Sequence, residues 1–499
     1  MTQKLESLNP ATGDVVGVHV VDEPADVEAA VARAREASAW WSQLSFDERR
    51  RILDQWKGVL ARRMAQLADL VHQETGKPHA DAQLEIGLAI DHLGWAARHA
   101  EKVLGPHKVS AGLLMANQAA TVEYPPLGVV GVIGPWNYPV FTPMGSIVYA
   151  LAAGNAVVFK PSEYTPGVGQ WLADSLSQVV PDHALLQTVI GYAETGAALC
   201  RADVDKLAFT GSTATGKKVM AACAENLTPV LIEAGGKDAL IVDEDADLAA
   251  AADAAIWGAF SNAGQTCAGV ERVYVHERVY DEFLEQLTEQ ARHVHAGAHT
   301  GAHFGPMTMP SQVEVVRRHV ADALAKGARA VLGGADSVGE RFVQPVILTD
   351  VPPDSCAITE ETFGPTMTVN RVRDMDEAVE LANGTDFGLG STVFSKSRGP
   401  ELARRIRSGM TAINSVISFA GIPALPFGGV GDSGFGRIHG ADGLREFTYA
   451  KAIARQRVRP PMVLTSFART AKHDTAFAQL ITVLHGRASQ LPRLARRVR

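Results

Sequence analysis

One cysteine, one carboxylate and one amide stand where they could make and break bonds at a carbonyl carbon. Cys267 lies in SNAGQTCAGVERVYV, a glycine- and polar-rich connection between Gly264 and Gly269 that runs into an apolar, β-branched segment. An unpaired cysteine is most often a small buried hydrophobe. Glycine, however, lets a backbone approach a ligand closely, and Cys200, Cys223 and Cys356 have no comparable setting. A thiolate attacks carbonyl carbon, and an ordinary thiol pKa of about 8.5 leaves a reactive fraction at neutral pH. The anion formed needs a donor where charge develops. Asn137, in GPWNYP at the mouth of an apolar run, is either that donor or the start of an Asx turn before Pro139. Glu233, in LIEAGGK, is either a general base for water or a solvated turn residue.

A second stretch could hold phosphate. Residues 207–218, LAFTGSTATGKK, pass from a strand-like run through a glycine-bounded loop into a helix-like start. The spacing from Gly211 to Lys217 is that of a nucleotide-triphosphate loop, but Lys218 stands where the magnesium-binding Ser or Thr belongs. A helix N-terminus still offers N–H groups and partial positive charge to a pyrophosphate, which needs no metal cage.

Parallel strands would position these residues. VVGVI, AVVFK, LQTVI, KLAFT, PVLIE and DALIV alternate with helical patterns, after Ala-rich helices over roughly 25–105. A second alternation follows Cys267: ERVYVH, a helix to about 295, ARAVLGG, FVQPVIL, a helix near 376–383 and STVFS. Strands alternating with helices predict two doubly wound α/β units. From Tyr124 to Phe159 no residue is charged, yet Pro125, Pro126, Pro135, Pro139 and Pro143 interrupt it. Strand, loop, a helix from roughly 143 to 153 and a second strand describe it better than a membrane span.

The 499 residues suffice for two or three domains, and 46% hydrophobic with 20% charged residues is the balance of a globular protein. The four cysteines show neither C-x-x-C pairing nor metal-ligand spacing, and the polar start MTQKLESLNPATGD has no apolar signal core. A cytoplasmic protein with no metal centre is expected. Net charge is −8, unevenly spread: from Lys451 onward eleven basic residues face Asp474 alone. An acidic body of this kind points to no nucleic-acid partner.

Seven motifs together resemble the aldehyde dehydrogenase superfamily, nearest its bacterial succinate-semialdehyde dehydrogenase-like members. They are PWNYP (135–139), KPSE (160–163), FTGS (209–212), EAGGK (233–237), GQTC (264–267), EETFGP (360–365) and PFGG…SGFGR (426–437), in family order, within a match from LNPATGD to Lys451. The resemblance implies an α/β fold with a Rossmann-type cofactor domain (1–107 and 127–234) and an α/β catalytic domain (235–446). It further implies a small β oligomerisation element (108–126 and 447–460), with residues 461–499 as a basic extension. By resemblance, Cys267 is the nucleophile that forms a thiohemiacetal. Asn137 and the Cys267 N–H stabilise its oxyanion, hydride passes to a nicotinamide, and Glu233 activates water against the thioester. The cofactor-binding positions so implied are Trp136, Lys160, Glu163, Gly191, Gly196, Phe209, Gly211, Ser212, Glu361 and Phe363. A carboxylate at Glu163 should repel a 2′-phosphate, which favours NAD over NADP, although Lys160 blunts the effect.

Three residues depart from the family pattern. Ala234 replaces Leu in E-L-G-G-K. Ile438 stands where many members carry a Glu, so a second proton relay would need a substitute such as Glu271. Ala268 removes a disulfide partner beside the nucleophile. Pocket positions near Trp136, Phe141, Trp257 and 415–427 are mostly apolar with no Arg for a substrate carboxylate, which favours medium-chain or aromatic aldehydes. Succinic semialdehyde oxidation and CoA-acylating chemistry are the alternatives, the second disfavoured by Glu233. The resemblance also implies a homodimer or homotetramer. In the extension, Phe477, Leu480, Ile481 and Leu484 share one helical face, suited to docking on protein or to lying on an anionic membrane.

Overall fold

The structure is a computed structural model describing residues 3–460 and 463–486. It divides into two compact units, residues 1–105 with 124–449, and residues 106–123 with 450 onward.

The larger unit holds two mainly parallel sheets. A six-stranded sheet runs in the order Gly434–Phe435, Val230–Ala234, Lys206–Gly211, Val129–Ile133, Ala156–Lys160, Leu186–Thr188. All neighbours are parallel except the short edge strand Gly434–Phe435. A seven-stranded sheet runs Arg329–Leu332, Val346–Thr349, Thr366–Val372, Val270–His276, Asp238–Val242, Ser391–Phe394, Ala412–Ile413, antiparallel only at its first pair. Continuous apolar strands arise because helices cover both faces; every residue of Ala156–Lys160, Asp238–Val242 and Val270–His276 is buried.

Topology determines where a ligand can sit. From Val129–Ile133 the chain builds outward through Ala156–Lys160 and Leu186–Thr188, then returns to lay Lys206–Gly211 on the opposite side. The reversal leaves a crevice at the carboxyl ends of Val129–Ile133 and Lys206–Gly211, where α/β sheets bind ligands. PWNYP and FTGS leave those two ends. The chain passes from this sheet to the next through Gly235, Gly236 and Lys237, so the seam between the sheets is narrow.

The uncharged stretch forms strand Val129–Ile133, helix Phe141–Ala153 and strand Ala156–Lys160. Among the described residues no helix is long and apolar enough to cross a membrane. The helix starts two residues before the expected 143 because Glu85 accepts the Val140 and Phe141 N–H groups at 2.7 and 3.1 Å. Pro143 then falls in the first turn, where its missing N–H costs nothing.

In the smaller unit, Lys451–Gln456, Gln118–Glu123 and His107–Val109 form an antiparallel three-stranded sheet. The segment 108–126, expected as one strand, is two strands joined through a short turn of helix, Leu113–Met115. Helix Ala471–His485 forms where the periodicity predicted it, with no side chain fully buried. Residues 487–499, with five of the tail's arginines, lie outside the described residues.

Candidate active site

Glu233 sits near the end of strand Val230–Ala234, 2% exposed. Cys267 precedes strand Val270–His276, in the loop that follows Ser261–Gly264. Three successive residues there adopt left-handed backbone: Asn262 (φ 52°), Ala263 (φ 58°) and Gly264 (φ 69°). Such conformations are costly in non-glycine residues and persist only where surroundings enforce them. A Cβ at Gly264 would lie 2.1 Å from the Gly364 carbonyl oxygen, so only glycine fits.

A hydrogen-bond lattice holds this loop against PWNYP. Asn137 Nδ2 donates to the Gln265 carbonyl at 2.9 Å, and the Asn137 carbonyl accepts from Asn262 Nδ2 at 3.0 Å and Lys77 Nζ at 2.7 Å. Lys77 also pairs with Glu85 at 2.7 Å, both side chains being almost fully buried. Gln265 is tied down in turn, by Nε2 to the Asn262 carbonyl and by Oε1 to the Thr308 N–H. Asn137 therefore keeps one amide N–H for the cavity it lines. The Cys267 N–H has no partner among the described residues. Asn137 and Cys267 line one cavity, and each has an N–H donor without a partner among the described residues.

Two cavities meet at Cys267. One, about 270 Å³, is walled by Tyr138, Phe141, Trp257, Val416, Ile417 and Phe427. The other, about 140 Å³, is walled by Trp136, Asn137, Gly211, Glu233, Glu361 and Phe363. Thr142 and Cys267 belong to both.

Burial governs the protonation chemistry. It pushes Glu233 up to about 7, against the Cys267 thiol and the Thr210 hydroxyl, which hold it down. The Thr210 hydroxyl donates to Glu233 Oε2 at 3.2 Å, while Oε1 has no hydrogen-bond partner. Burial and then the Glu233 charge raise Cys267 well above the usual thiol range. The resting thiol is thus neutral, beside a carboxylate that titrates near neutrality.

Of the expected cofactor-binding residues, Trp136, Gly211, Ser212, Glu361 and Phe363 line the second cavity, whereas Lys160, Glu163, Gly191 and Gly196 lie outside its lining. Ser212 caps helix Thr213–Ala224 by accepting the Thr215 N–H, leaving the helix N-terminus toward the crevice for phosphate. Lys160 is buried beside the part-exposed Glu163, Nζ to Oε2 3.8 Å, with that carboxylate open to sugar hydroxyls. The Glu361 carboxyl, pushed up to about 8 chiefly by burial, accepts the Gly236 N–H at 3.0 Å. Phe363 (φ 50°) meets Trp136 edge-on at 5.6 Å. A Cβ on Gly191 would lie 2.1 Å from Thr195 Oγ1, and one on Gly196 would contact the Lys160 stem at 3.6 Å. Phe209 does not line the cavity; its buried ring supports the turn, within 2.6 Å of any Cβ at Gly211. The residues present fit a nicotinamide dinucleotide.

The glycines of EAGGK have a steric reason. A Cβ at Gly235 would fall 2.1 Å from Glu361 Oε1, and one at Gly236 would fall 2.5 Å from the Cys267 carbonyl oxygen. Gly235→Ala should displace Glu361 and raise the dinucleotide Kd ten-fold or more, read by tryptophan quenching. An unchanged Kd would show that Glu361 has no contact to lose.

Several participants escaped sequence reasoning. Lys77, Glu85 and Asn262 lie outside every motif, and Gln265, although within GQTC, has no role that spacing signals. Glu271, considered as a substitute proton relay, is committed elsewhere: it accepts the Thr362 and Phe363 N–H groups at 2.9 Å each and pairs with buried Lys237. It holds the Glu361–Phe363 loop rather than facing the thiol. Ile438 is buried and would meet a Cβ placed at Gly145, so it packs against helix Phe141–Ala153.

Comparison with known proteins agrees with this geometry. A family model described as the aldehyde dehydrogenase family matches residues 1–453. A 4,4'-diapolycopene aldehyde oxidase of Methylomonas sp is 37% identical over 493 residues, 98% of this chain and 93% of that protein. A putative succinate-semialdehyde dehydrogenase [NADP(+)] 2 of Mycobacterium ulcerans is 38% identical over 461 residues, covering 90% and 89%. Among solved structures, an NAD-dependent aldehyde dehydrogenase from Sinorhizobium meliloti superposes with a TM-score of 0.87 at 34% identity, covering 93% of each chain. Succinate-semialdehyde dehydrogenase from Burkholderia pseudomallei gives a TM-score of 0.86 at 34% identity, covering 91% of this chain and 95% of that one.

Proposed function

Because this chain belongs to the aldehyde dehydrogenase family, we propose that it oxidises an apolar aldehyde to the carboxylic acid with NAD(P), through a covalent intermediate on Cys267. The observation that carries the reading is the thiol at the junction of two cavities, one of which it shares with the buried Glu233 carboxyl and with Asn137.

The aldehyde enters the cavity walled by Phe141, Trp257 and Phe427. Glu233, poised near neutrality, takes the thiol proton, and Cys267 Sγ attacks the carbonyl carbon. The oxygen gains negative charge within reach of the Asn137 amide and the Cys267 N–H, donors already aligned before reaction. The nicotinamide, when bound in the neighbouring cleft, supplies the hydride acceptor. A thioester then remains on Cys267. Glu233 must first release the thiol's proton to solvent; as a carboxylate again it takes a proton from water as that water attacks the thioester, and the departing sulfur is reprotonated. Residues 1–107 with 127–234 form the cofactor domain of this reading and 235–446 the catalytic domain, Asn137 and Glu233 reaching the thiol's cavity from the first and Glu361 and Phe363 from the second.

We infer a preference for NAD, since the Glu163 carboxylate opposes a 2′-phosphate more than Lys160, turned to the Pro161 carbonyl, attracts it. Medium-chain, aromatic or longer apolar aldehydes suit the cavity walls. The relative named for 4,4'-diapolycopene aldehyde supports that direction, and its match reaches beyond residue 453. Self-association is inferred from the smaller unit, where Val109, Leu113, Leu114, Met115 and Val458 are exposed. Sedimentation should give a mass above the single chain's 53.1 kDa; a monomer at micromolar concentration rejects this.

The decisive experiment measures NADH and NADPH formation over an aldehyde panel, with acid product analysed. Turnover that needs added CoA would mean that thiol, not water, releases the acyl group. No turnover under either condition rejects the reading.

A further inference from the structure

The substrate cavity is walled by apolar side chains and by neutral polar ones such as Ser261, Asn262 and Thr266, and it carries ionisable carboxyls only along one face of helix His79–Leu104. Asp81, Leu84, Glu85 and Leu88, at i, i+3, i+4 and i+7, all line it. The two carboxylates differ in standing. Glu85 is consumed by Lys77 and by the Val140 and Phe141 N–H groups. The Asp81 carboxyl makes no hydrogen bond or ion pair among the described residues, although it lies in the helix's first turn, where the dipole favours its ionised form. Burial raises its carboxyl above the ordinary value of 3.8, and the Lys77 charge draws it back. That nearest cation is spent on Glu85, the Asn137 carbonyl and the Tyr138 ring 4.1 Å from its Nζ. No Lys, Arg or His lines the cavity. The wall therefore presents one unpaired carboxylate to whatever enters.

Resting on the aldehyde-oxidising reading above, the geometry points to Asp81 as a specificity-determining residue that rejects aldehydes carrying a second, anionic group and admits neutral or cationic ones. A substrate carboxylate would enter a low-dielectric cavity with neutral donors but no cationic partner and a like charge on the wall, an interaction that grows as water is excluded. A hydroxyl would meet a free acceptor, and a quaternary ammonium group, which has no proton to donate, would meet an opposite charge. Discrimination comes from this repulsion as much as from any attraction. Resemblance to relatives named for succinate semialdehyde then does not extend to their named substrate.

The test compares kcat/KM for hexanal, succinic semialdehyde and 4-(trimethylammonio)butanal, the first two matched in heavy-atom number. In the unmodified enzyme succinic semialdehyde should fall ten-fold or more below hexanal. Within each variant, the succinic semialdehyde to hexanal ratio should rise at least ten-fold in Asp81→Asn and further in Asp81→Arg, while the ratio for the cation falls. Salt should narrow the ratio only where Asp81 is present. Preference for succinic semialdehyde in the unmodified enzyme overturns the inference, as does a ratio that ignores the charge at 81. Asp81→Asn, nearly isosteric, keeps the test alive if Asp81→Arg fails to fold. Aldehyde turnover with a charge-blind ratio rejects this inference alone, whereas absence of turnover with every aldehyde rejects the parent reading with it.

Discussion

Cys267→Ala should abolish aldehyde-dependent reduction of NAD(P), with kcat falling at least about 10⁴-fold. The expectation follows from the arrangement around the sulfur. In the proposed mechanism the Asn137 amide, the Cys267 N–H and Glu233 all serve a covalent adduct at that one atom, and without it they act on nothing. Alanine fills less space in a loop whose shape is imposed by the Asn262–Gly264 backbone, so the fold and the dinucleotide affinity should persist. Steady-state absorbance at 340 nm reads the first quantity and tryptophan quenching the second. Residual turnover above about one part in a hundred, with intact binding, would mean that the hydride leaves an aldehyde hydrate rather than a sulfur adduct.

Glu233→Gln should separate the two halves of the reaction. Glutamine keeps a carbonyl acceptor for the Thr210 hydroxyl but cannot remove a proton from water. One equivalent of NADH per site should appear in a burst if the thiol can lose its proton to solvent. Steady turnover should then be about 10²–10⁴-fold slower, the usual range for a lost general base. Mass spectrometry of the quenched protein should find an acyl group on Cys267. Normal steady turnover would remove Glu233 from the mechanism. In the unmodified enzyme, activity should rise with pH through about 7, where Glu233 ionises, and that step should be missing in the variant.

The same substitution should stabilise the fold at alkaline pH. The folded protein holds Glu233 protonated up to about 7, whereas the unfolded chain releases that proton near the ordinary carboxyl value of 4.5. Ionisation therefore favours the unfolded state progressively as pH rises between those values, and the full penalty applies above pH 7. The uncharged amide of the Glu233→Gln variant carries no such penalty, so the variant should gain about 1–3 kcal/mol at pH 8 and nothing below pH 4.5. Thermal unfolding at the two pH values checks this. A loss of stability at pH 8 would show that Glu233 makes a stabilising contact in its charged form.

Short contiguous segments carried the part of this site that could be read in advance. EAGGK and GQTC are legible because strand ends, tight approaches and chemistry constrain adjacent residues together. Gly235 and Gly236 must both lack a Cβ to let Glu361 and the Cys267 main chain close in. The expectation that Cys267, Glu233 and Asn137 would share one site agrees with their common cavity. Phe209, grouped with cofactor contacts, instead supports their turn from beneath.

By itself, then, the sequence determined the alternating strands and helices, the apolar strands buried on both faces, and the residue types able to attack, stabilise and hydrolyse at a carbonyl. Those properties are local, written in periods of a few residues or in runs of five. Only the tertiary structure decided what each polar group spends its capacity on. Glu85 caps a helix 55 residues away and neutralises Lys77, Glu271 grips a loop 91 residues away, and the Asp81 carboxyl, on the same helix face as Glu85, is left with no partner among the described residues. A buried hydrogen bond depends on which atoms packing brings within about 3 Å, and packing is a property of the whole chain. Spacing along the sequence shows that a carboxylate is present; the fold alone determines whether it holds the scaffold, moves a proton or selects a substrate.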